Sequence, residues 1–431
     1  MSGFRVRESE LAELGMSLPG LRDRASAISA LPPLGVLTLA GMTPSDWSVS
    51  LHEPKQITDH LVSTIIDEKP TIVAISSLTA SIDEAYRLSD RLRIEGLRVV
   101  IGGLHVTVSS EEAQKHCDAV AVGEGEGVWL DILRDAQRGT LQNQYKAAKP
   151  FDLAQSPLPR FDLLGSDRQR YTLQTSRGCP FACDFCGASR LLGPYRRKPN
   201  ARLAEELNAI SQIINRPIIE LADDNTFAAG GDHHELLDAM AASGARWFTE
   251  ADWRLGENAA VLDRLAEAGC VQVLVGLESI IHRYGGMGAK AAPVTRMNEC
   301  VQAIQQTGVA VIGCYVAGAD GETEQTIEQL GTTLNNSPCA DIQVTVQTPF
   351  PGTGLRKRLA NEGRLLPNCG WSSMTLFDVA YQPDRMSALA LENRFAELLT
   401  RVYGEKPTRR RNEIRRNVWA QNPALRKRAN R

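Results

Sequence analysis

The chain has 431 residues, of which 43% are hydrophobic and 23% are charged, and its formal net charge is −3. This composition is ordinary for a globular enzyme of two or three domains. It excludes a membrane-spanning helix, because no uncharged apolar run reaches the ~18 residues such a helix needs, and its acidic body argues against broad nucleic-acid binding.

Residues 1–147 are predicted to form a Rossmann-like domain in which strands and helices alternate, an arrangement typical of a parallel, doubly wound sheet. The charged start of the chain has no apolar signal core, so we expect a cytoplasmic protein. Short apolar runs predict strands at 36–40, 47–51, 71–76, 98–103 and 118–122. Apolar residues at helical spacing predict helices at 56–68 and 82–95.

Residues 148–170 are predicted to be a linker, because its alternating prolines exclude regular helix. Residues 171–355 then repeat a strand–helix unit, which predicts a partial (β/α)6 barrel with its active site at the C-terminal ends of the strands. The predicted barrel strands are 171–176, 218–222, 246–250, 271–275, 310–316 and 341–346. The predicted helices between them are 203–214, 233–242, 259–268, 297–307 and 323–334.

Residues 356–431 are predicted to be a C-terminal extension. Within it, residues 389–403 have the spacing of an amphipathic helix. The tail at 408–431 carries nine basic residues and one acid. We expect this tail to be solvated or frayed, and nucleic-acid binding through it is not expected.

Three of the nine cysteines, Cys179, Cys183 and Cys186, lie on one short loop after the first barrel strand. Three and then two residues separate them, so their thiolates can clasp one face of a [4Fe–4S] cluster. Because such a cluster normally takes four cysteines, one iron would stay open for another ligand. Structural zinc is the alternative, but the chain has no second CxxC and no HxxxH. The odd cysteine total and the absence of a secretory context disfavour a disulfide.

The cysteine motif closely resembles that of the radical S-adenosylmethionine (SAM) enzymes. The resemblance implies a [4Fe–4S] cluster whose open iron binds SAM, and cleavage of SAM to a 5′-deoxyadenosyl radical. It also implies that Phe185 lies against the adenine, a flat apolar face against a flat base, and that Gly187 belongs to the cofactor site. The alternative for Phe185 is a loop aromatic packed on the barrel.

The first domain is similar to the cobalamin-binding-type domain fused to many radical SAM enzymes. The strings that carry this resemblance are Pro-Pro-Leu-Gly at 32–35, Gly-Gly-Leu-His at 102–105 and Val-Gly-Glu-Gly-Glu at 122–126. The Asp-x-His-x-x-Gly motif of a domain that holds cobalt through histidine does not occur. We therefore interpret the domain as degenerate, leave cobalamin open as a cofactor, and interpret His105 as a loop residue rather than a cobalt ligand.

Polar residues follow the second barrel strand at Asp223, Asp224 and Asn225. Adjacent acids at the opening of a barrel are costly unless a cation or hydrogen-bond donors meet them. In the resembled family this strand end supplies groups to the ammonium group of SAM, so we expect cofactor contacts here. A helix N-cap is the alternative.

Strand alternation places Glu250, Asp252 and Arg254 on one face after the third barrel strand. If that face lines the barrel, the carboxylates would bind ribose or substrate hydroxyls, and the guanidinium would clamp a substrate carboxylate. We therefore predict catalytic or substrate-binding roles for these residues. A surface ion-pair cluster is the alternative.

Two later strands offer further candidates. Gly276 permits close backbone approach to a cofactor, and Glu278 would point toward the ligand space. Tyr315 would position the substrate or relay a hydrogen atom, and core packing is the alternative.

The sequence leaves three functions open. The favoured hypothesis is radical dehydration or rearrangement of a small polar, aminosugar-like substrate, which is lyase chemistry. The short chain and degenerate first domain resemble the radical SAM dehydratases of aminoglycoside biosynthesis. This hypothesis implies an electron donor such as flavodoxin or ferredoxin, a reductase acting on the product, and no membrane partner. The alternatives are a cobalamin-dependent radical SAM methyltransferase and a non-catalytic cluster protein that binds a partner.

Overall fold

The computed structural model describes two parallel α/β units followed by a helical C-terminal segment. This architecture confirms the expected α/β fold class. None of the helices in the described ranges combines the length and the apolar character needed to cross a membrane. The described residues are 18, 31–54, 56–165, 168–181, 183–187, 191–228, 233–279 and 292–426.

The first unit has a four-stranded parallel sheet with the strand order β1-β2-β3-β4. Strands β2 and β3 are almost continuously buried, which is typical of parallel strands covered by helices on both faces. The strands are β1 (Val73–Ser76), β2 (Val99–Gly102), β3 (Ala119–Val122) and β4 (Gln144–Lys146). The helices are α1 (Leu34–Met42), α2 (Asp59–Asp67), α3 (Ile82–Ile94), α4 (Leu104–Val108), α5 (Ser110–Ala113) and α6 (Trp129–Arg138).

Two of the strands predicted in this unit are wrong. Residues 36–40 lie within helix α1, and residues 47–51 form no strand in the structure. A five-residue apolar run does not distinguish a strand from a helix, and the prolines directly before Leu34 are compatible with a helix start. The helix packs closely on the linker, because a Cβ on Gly41 would lie 2.1 Å from the carbonyl oxygen of Leu158.

The second unit has a six-stranded parallel sheet with the order β12-β11-β10-β9-β8-β5, as expected for the partial barrel. A separate antiparallel pair joins β6 (Ser176–Arg177) to β7 (Arg196–Arg197). The barrel strands are β5 (Arg170–Leu173), β8 (Ile218–Leu221), β9 (Arg246–Asp252), β10 (Cys270–Glu278), β11 (Ala310–Ala317) and β12 (Asp341–Val346). The helices between them are α7 (Asn200–Ile213), α8 (His234–Ser243), α9 (Ala259–Leu265), α10 (Val294–Gln306) and α11 (Glu324–Asn336).

Side chains alternate between the two faces of the barrel strands, as β9 shows. Trp247, Thr249 and Ala251 are buried, and the indole of Trp247 donates a 2.7 Å hydrogen bond to the carbonyl of Ala268. Full burial of one large apolar side chain contributes about 1.5–3 kcal/mol. Phe248 and Glu250 alternate with these residues and are less buried, so the opposite face of the strand is the one open to a ligand.

Residues 354–426 of the C-terminal segment contain four α-helices, and the expectation of a frayed tail is wrong for this described part. Arg411 is buried, donates a 2.6 Å hydrogen bond to the carbonyl of Val402 and lies 3.6 Å from Asp341 at the start of β12. The basic residues therefore have partners that sequence alone does not reveal. The helices are α12 (Gly354–Asn361), α13 (Ala388–Tyr403), α14 (Glu405–Trp419) and α15 (Pro423–Arg426).

Asn422 covers the N-terminal ends of the barrel strands. Its fully buried amide donates hydrogen bonds of 2.8 Å to the carbonyl of Cys270 and 3.0 Å to the carbonyl of Gly308. Without these donors, two backbone carbonyls at the closed end of the barrel would lose their partners.

Replacing Asn422 with alanine should lower the free energy of unfolding by about 1–3 kcal/mol, because it leaves buried carbonyls unsatisfied. The measurement is urea unfolding of the anaerobically purified protein. The matched control is Gln421→Ala at the exposed neighbouring position, which should change stability by less than about 0.5 kcal/mol. Equal effects of the two substitutions would contradict the capping role.

Candidate active site

The three cysteines lie on a loop that leaves the barrel after β5 and β6. Cys183 is buried, and Cys179 and Cys186 are half-buried. Gly178 begins the loop with a φ of +82°, and a Cβ there would lie 2.8 Å from the carbonyl oxygen of Gly193. Only glycine meets both conditions, so the loop leaves the sheet at a defined point beside the C-terminal ends of the strands.

Helix α12 holds the middle of the cysteine loop. The N–H of Leu355 donates to the carbonyl of Asp184 at 3.0 Å, and the guanidinium of Arg358 lies 2.5 Å from the Asp184 carboxylate. No three Cys, His, Asp or Glu side chains in the described ranges converge on a single-ion site. A cubane cluster presents separate irons to separate thiolates, and three cysteines on one loop fit that requirement.

Asp223 and Asp224 bind the backbone that leads into this loop. Asp223 is 2% exposed and accepts hydrogen bonds from the N–H groups of Thr175 at 2.7 Å and Ser176 at 2.9 Å. Its second oxygen accepts the hydroxyl of Thr226 at 2.8 Å. Asp224 accepts the N–H of Gly178 at 3.0 Å. Burial raises the pKa of both carboxyls, and these donors oppose that rise.

These contacts change the interpretation of the acidic pair. We expect from the sequence a contact with the SAM ammonium group, but the carboxylate of Asp223 already accepts from Thr175 and Ser176 after β5 and from Thr226 of its own loop. The structure therefore gives Asp223 a positioning role toward the cysteine loop. The helix N-cap alternative also fails for this pair, because helix α8 begins only at His234.

The structure brings three of the predicted residues together beside the acidic pair. The amide of Asn225 donates to Asp252 at 3.1 Å, and the N–H of Asp252 returns to Asn225 at 3.3 Å. Asp252 also accepts the backbone N–H of Arg254 at 2.8 Å, with the guanidinium 3.5 Å away. The Arg254 guanidinium lies 5.1 Å from the ring centre of Phe181 on the cysteine loop. Glu250 is exposed, and its backbone carbonyl accepts the N–H of Thr226 at 3.1 Å.

Gly276, Glu278 and Tyr315 lie at an irregular point of the sheet. The register between β10 and β11 shifts between Gly276 and Glu278. Glu278 has a φ of +58°, a backbone conformation rare for a residue with a side chain and often found at functional sites. Its predicted role stays a prediction.

The predicted catalytic role of Tyr315 is wrong, because the structure places its side chain in the core. The ring is 1% exposed, and its hydroxyl lies 3.5 Å from Ser337 and 3.8 Å from Cys339. Strand alternation leaves the neighbouring Cys314, which is half-buried, on the opposite face. Core packing, the alternative stated from the sequence, is the arrangement in the structure.

Sequence reasoning missed Glu322, which joins the ends of two barrel strands. Its carboxylate accepts the N–H of Gly318 after β11 at 2.7 Å and the hydroxyl of Ser279 after β10 at 3.2 Å. Burial raises its pKa to about 7. Phe185 of the cysteine loop packs against Ala319 in the same turn. The sequence signal that could have identified Glu322 is an acid four residues after Gly318, the glycine that follows β11.

A cavity of about 1850 Å³ is lined by residues of both units. This volume exceeds the ~300–1,000 Å³ typical of sites for drug-sized ligands. On one side it is lined by the ends of β1 and α4, including His105, and on the other by Gly187 and Leu191 after the cysteines and by Phe350 and Pro351. The cavity therefore reaches from the first unit to the cysteine loop.

His105 is the polar group of this cavity that the sequence interpretation undervalued. It is 1% exposed, its Nδ1 lies 3.4 Å from the hydroxyl of Thr79, and its ring edge packs on Trp371. Its Nε2 has no hydrogen-bond partner among the described residues. Burial, aided by the charge of Arg356, lowers its pKa to about 4, so the imidazole is neutral at pH 7. A buried nitrogen without a partner, on the wall of a large cavity, fits a bulky ligand that offers a polar contact.

Two family models match the chain in the order of its two units. The B12 binding domain matches residues 24–133, and the Radical SAM superfamily matches residues 173–334. The first match ends shortly before β4, and the second begins at the end of β5, six residues before Cys179.

Similar sequences cover most of the chain at low identity. Bacteriochlorophyllide d C-12(1)-methyltransferase of Chlorobaculum tepidum is 25% identical over 342 residues, 77% of this chain and 74% of that protein. Hopanoid C-2 methylase of Rhodopseudomonas palustris is 24% identical, over 78% of this chain and 66% of that protein. The anaerobic magnesium-protoporphyrin IX monomethyl ester cyclase of Cereibacter sphaeroides is 21% identical, over 78% and 62%.

Two solved structures share the fold. TsrM from Kitasatospora setae, a radical SAM methyltransferase solved with cobalamin and a [4Fe–4S] cluster, has a TM-score of 0.63 at 14% identity and covers 84% of this chain and 82% of its own. The cobalamin-dependent radical SAM enzyme OxsB has a TM-score of 0.60 at 16% identity over 77% of this chain. This chain covers only 53% of OxsB.

Asp223→Asn should reduce cluster loading, because one carboxylate oxygen that now meets donors would become an NH2 group facing donors. We expect a lower iron content after anaerobic reconstitution and a loss of about 1–3 kcal/mol in the free energy of unfolding. Asp224→Asn, which affects one backbone contact, is the matched control and should have a smaller effect on both measurements. Iron content unchanged in Asp223→Asn would contradict the positioning role.

The depressed pKa of His105 predicts a pH dependence of stability. The folded imidazole stays neutral down to about pH 4, whereas the unfolded one takes up a proton near pH 6.5, so the unfolded state binds more protons between these values. Stability should therefore fall as the pH drops through this window, by up to about 1.4 kcal/mol per pH unit from this group. Urea unfolding at several pH values should show a shallower slope in His105→Phe and an unchanged slope in the exposed-site control His60→Gln.

Proposed function

The chain belongs to the radical SAM superfamily and carries a B12-binding domain ahead of the radical SAM domain, and on this premise we propose that it is a cobalamin-dependent radical SAM methyltransferase. The observation that carries the proposal is a large cavity lined both by the first unit and by residues that follow the cluster cysteines. A cofactor of the first unit and one at the cysteine loop would meet in that space.

The dehydration or rearrangement favoured from the sequence is wrong, and with it the lyase assignment. Relatives that cover about three quarters of the chain are methyltransferases acting on bacteriochlorophyllide d and methylases of hopanoids. The expectation of a reductase acting on the product depended on the dehydration hypothesis and is withdrawn with it. The short chain and the missing histidine motif do not distinguish the two reactions, because relatives named methyltransferases and methylases align with most of this chain.

The cofactors of the chain are a [4Fe–4S] cluster and SAM, and the proposal adds cobalamin. When bound, the cluster supplies an electron to SAM, and cobalamin carries the methyl group to the acceptor. Cys179, Cys183 and Cys186 would hold the cluster, and His105 would offer its free Nε2 to the cobalamin side of the cavity. Because His105 is neutral, that nitrogen is available as an acceptor or a donor according to its tautomer.

The remaining site residues orient groups around the cysteine loop. Asp223 fixes where the loop leaves β5, and Glu322 ties the ends of β10 and β11. Asp252 accepts the backbone N–H of Arg254, whose guanidinium lies beside Phe181, and we infer that this guanidinium orients an anionic group of SAM or the acceptor. We infer that the acceptor is a small organic molecule and that an external donor such as flavodoxin or ferredoxin supplies the electron.

The test is anaerobic reconstitution with iron, sulfide and hydroxocobalamin, followed by SAM and a chemical reductant. We expect retention of cobalamin through gel filtration and cobalamin-dependent release of S-adenosylhomocysteine, the product that methyl transfer leaves and dehydration does not. Cys183→Ala should abolish 5′-deoxyadenosine formation while leaving cobalamin retention intact.

The matched control is Cys369→Ala, a half-buried cysteine outside the loop, which should behave as the parent protein does. Loss of cobalamin on gel filtration would reject the methyltransferase proposal. Persistent 5′-deoxyadenosine formation by Cys183→Ala would reject the assignment of the cluster to this loop.

A further inference from the structure

Four charged side chains join the cysteine loop to the first unit. Arg177, two residues before Cys179, lies 2.9 Å from Glu124 and 2.7 Å from Glu126. Arg196, on the paired strand β7, lies 2.6 Å from Glu124. Each of Arg177 and Glu124 therefore has two charged partners, and the four side chains form one network between the units.

The network is largely removed from water. The side chains of Glu126, Glu124, Arg177 and Arg196 are 9%, 11%, 13% and 19% exposed. The two arginines also donate hydrogen bonds to uncharged oxygens. Arg196 donates to the carbonyls of Phe151 and Leu192, and Arg177 donates to the side-chain oxygen of Gln174. Burial by itself would raise the pKa of Glu124, but the hydrogen bonds from Arg196, Phe151 and Arg177 lower it.

The two ends of the network reach the two cofactor regions. Glu124 and Glu126 flank Gly125 in the turn after β3, and a Cβ on Gly125 would lie 3.3 Å from the side chain of Leu39, which lines the large cavity. At the other end, Arg177 pairs with Arg196 in the short antiparallel ladder that opens the cysteine loop. The network thus joins the turn that packs on the wall of the cavity to the strand pair that flanks the cysteine loop.

We propose that Arg177, Arg196, Glu124 and Glu126 form an interdomain clasp that fixes the cluster-binding loop against the first unit. The four are positioning residues, because they act through the loop backbone and touch no cofactor themselves. A single ion pair at a surface contributes little stability, but a largely buried network of hydrogen-bonded charges resists opening, because separation would leave unpaired charges away from water. The Gly-Glu-Gly-Glu string at 123–126 therefore functions through its two acids.

The test follows hydrogen–deuterium exchange and cluster spectra of the anaerobically reconstituted holoenzyme. Glu124→Gln removes one charge that serves two arginines, so peptides covering 174–187 and 122–128 should exchange about tenfold faster. Titration of the reduced cluster with SAM, followed by electron paramagnetic resonance, should show about tenfold weaker SAM binding. Glu126→Gln should weaken loop protection and SAM binding in the same direction. Glu126→Asp keeps the carboxylate, so its loop exchange and SAM binding should lie closer to those of the parent protein.

The matched control is Asp341→Asn, which removes another acid that serves two arginines, Arg411 and Arg415, at the opposite end of the barrel. It should lower global stability and leave loop exchange and SAM binding unchanged. Unchanged loop exchange in Glu124→Gln, or an equal effect of Asp341→Asn, would overturn the clasp. Neither readout involves methyl transfer, so failure of the proposed function and failure of the clasp would be distinguishable.

Discussion

The carboxylate of Asp223 is the contact on which the candidate site depends. It accepts two backbone N–H groups and the hydroxyls of two threonines at the point where β5 ends. Burying a carboxylate without donors costs free energy, and so does burying N–H groups without acceptors. In this contact each group supplies the hydrogen-bond partner that the other needs. The direction in which the cysteine loop leaves the barrel follows from that mutual requirement, and Gly178 permits the turn.

The site is assembled from both units, and different forces hold its parts. Apolar packing of alternating strand residues builds the barrel wall, while charged and hydrogen-bonded contacts place the loop relative to that wall and to the first unit. Hydrophobic burial is not directional, whereas an arginine fork bound to two acids has a defined geometry. Charged networks are therefore suited to setting the position of a cluster loop beside a cavity that remains open to large ligands.

Much of the second unit could be predicted from the sequence, because its barrel strands carry apolar residues, in runs or in alternation, between turn residues. Residues 36–40 could not, because a short apolar run is compatible with a strand or a helix, and these residues lie in α1. The basic tail looked solvated because Asp341 and the carbonyl groups at the strand ends, which receive its side chains, are remote in sequence. The face of Tyr315 could not be predicted either, because its strand is apolar on both faces and no alternation shows which side faces the core.

The sequence by itself determined that one loop carries three thiolates for a cluster, because the spacing of Cys179, Cys183 and Cys186 keeps them on one short segment. It also determined the alternation of strands and helices, which local apolar periodicity encodes. Only the tertiary structure decided that Asp223 serves a backbone 48 positions away, that Arg177 binds an acid 53 positions away, and that a large cavity connects His105 with the loop. Those pairings depend on how the chain crosses itself in three dimensions, which no local pattern records.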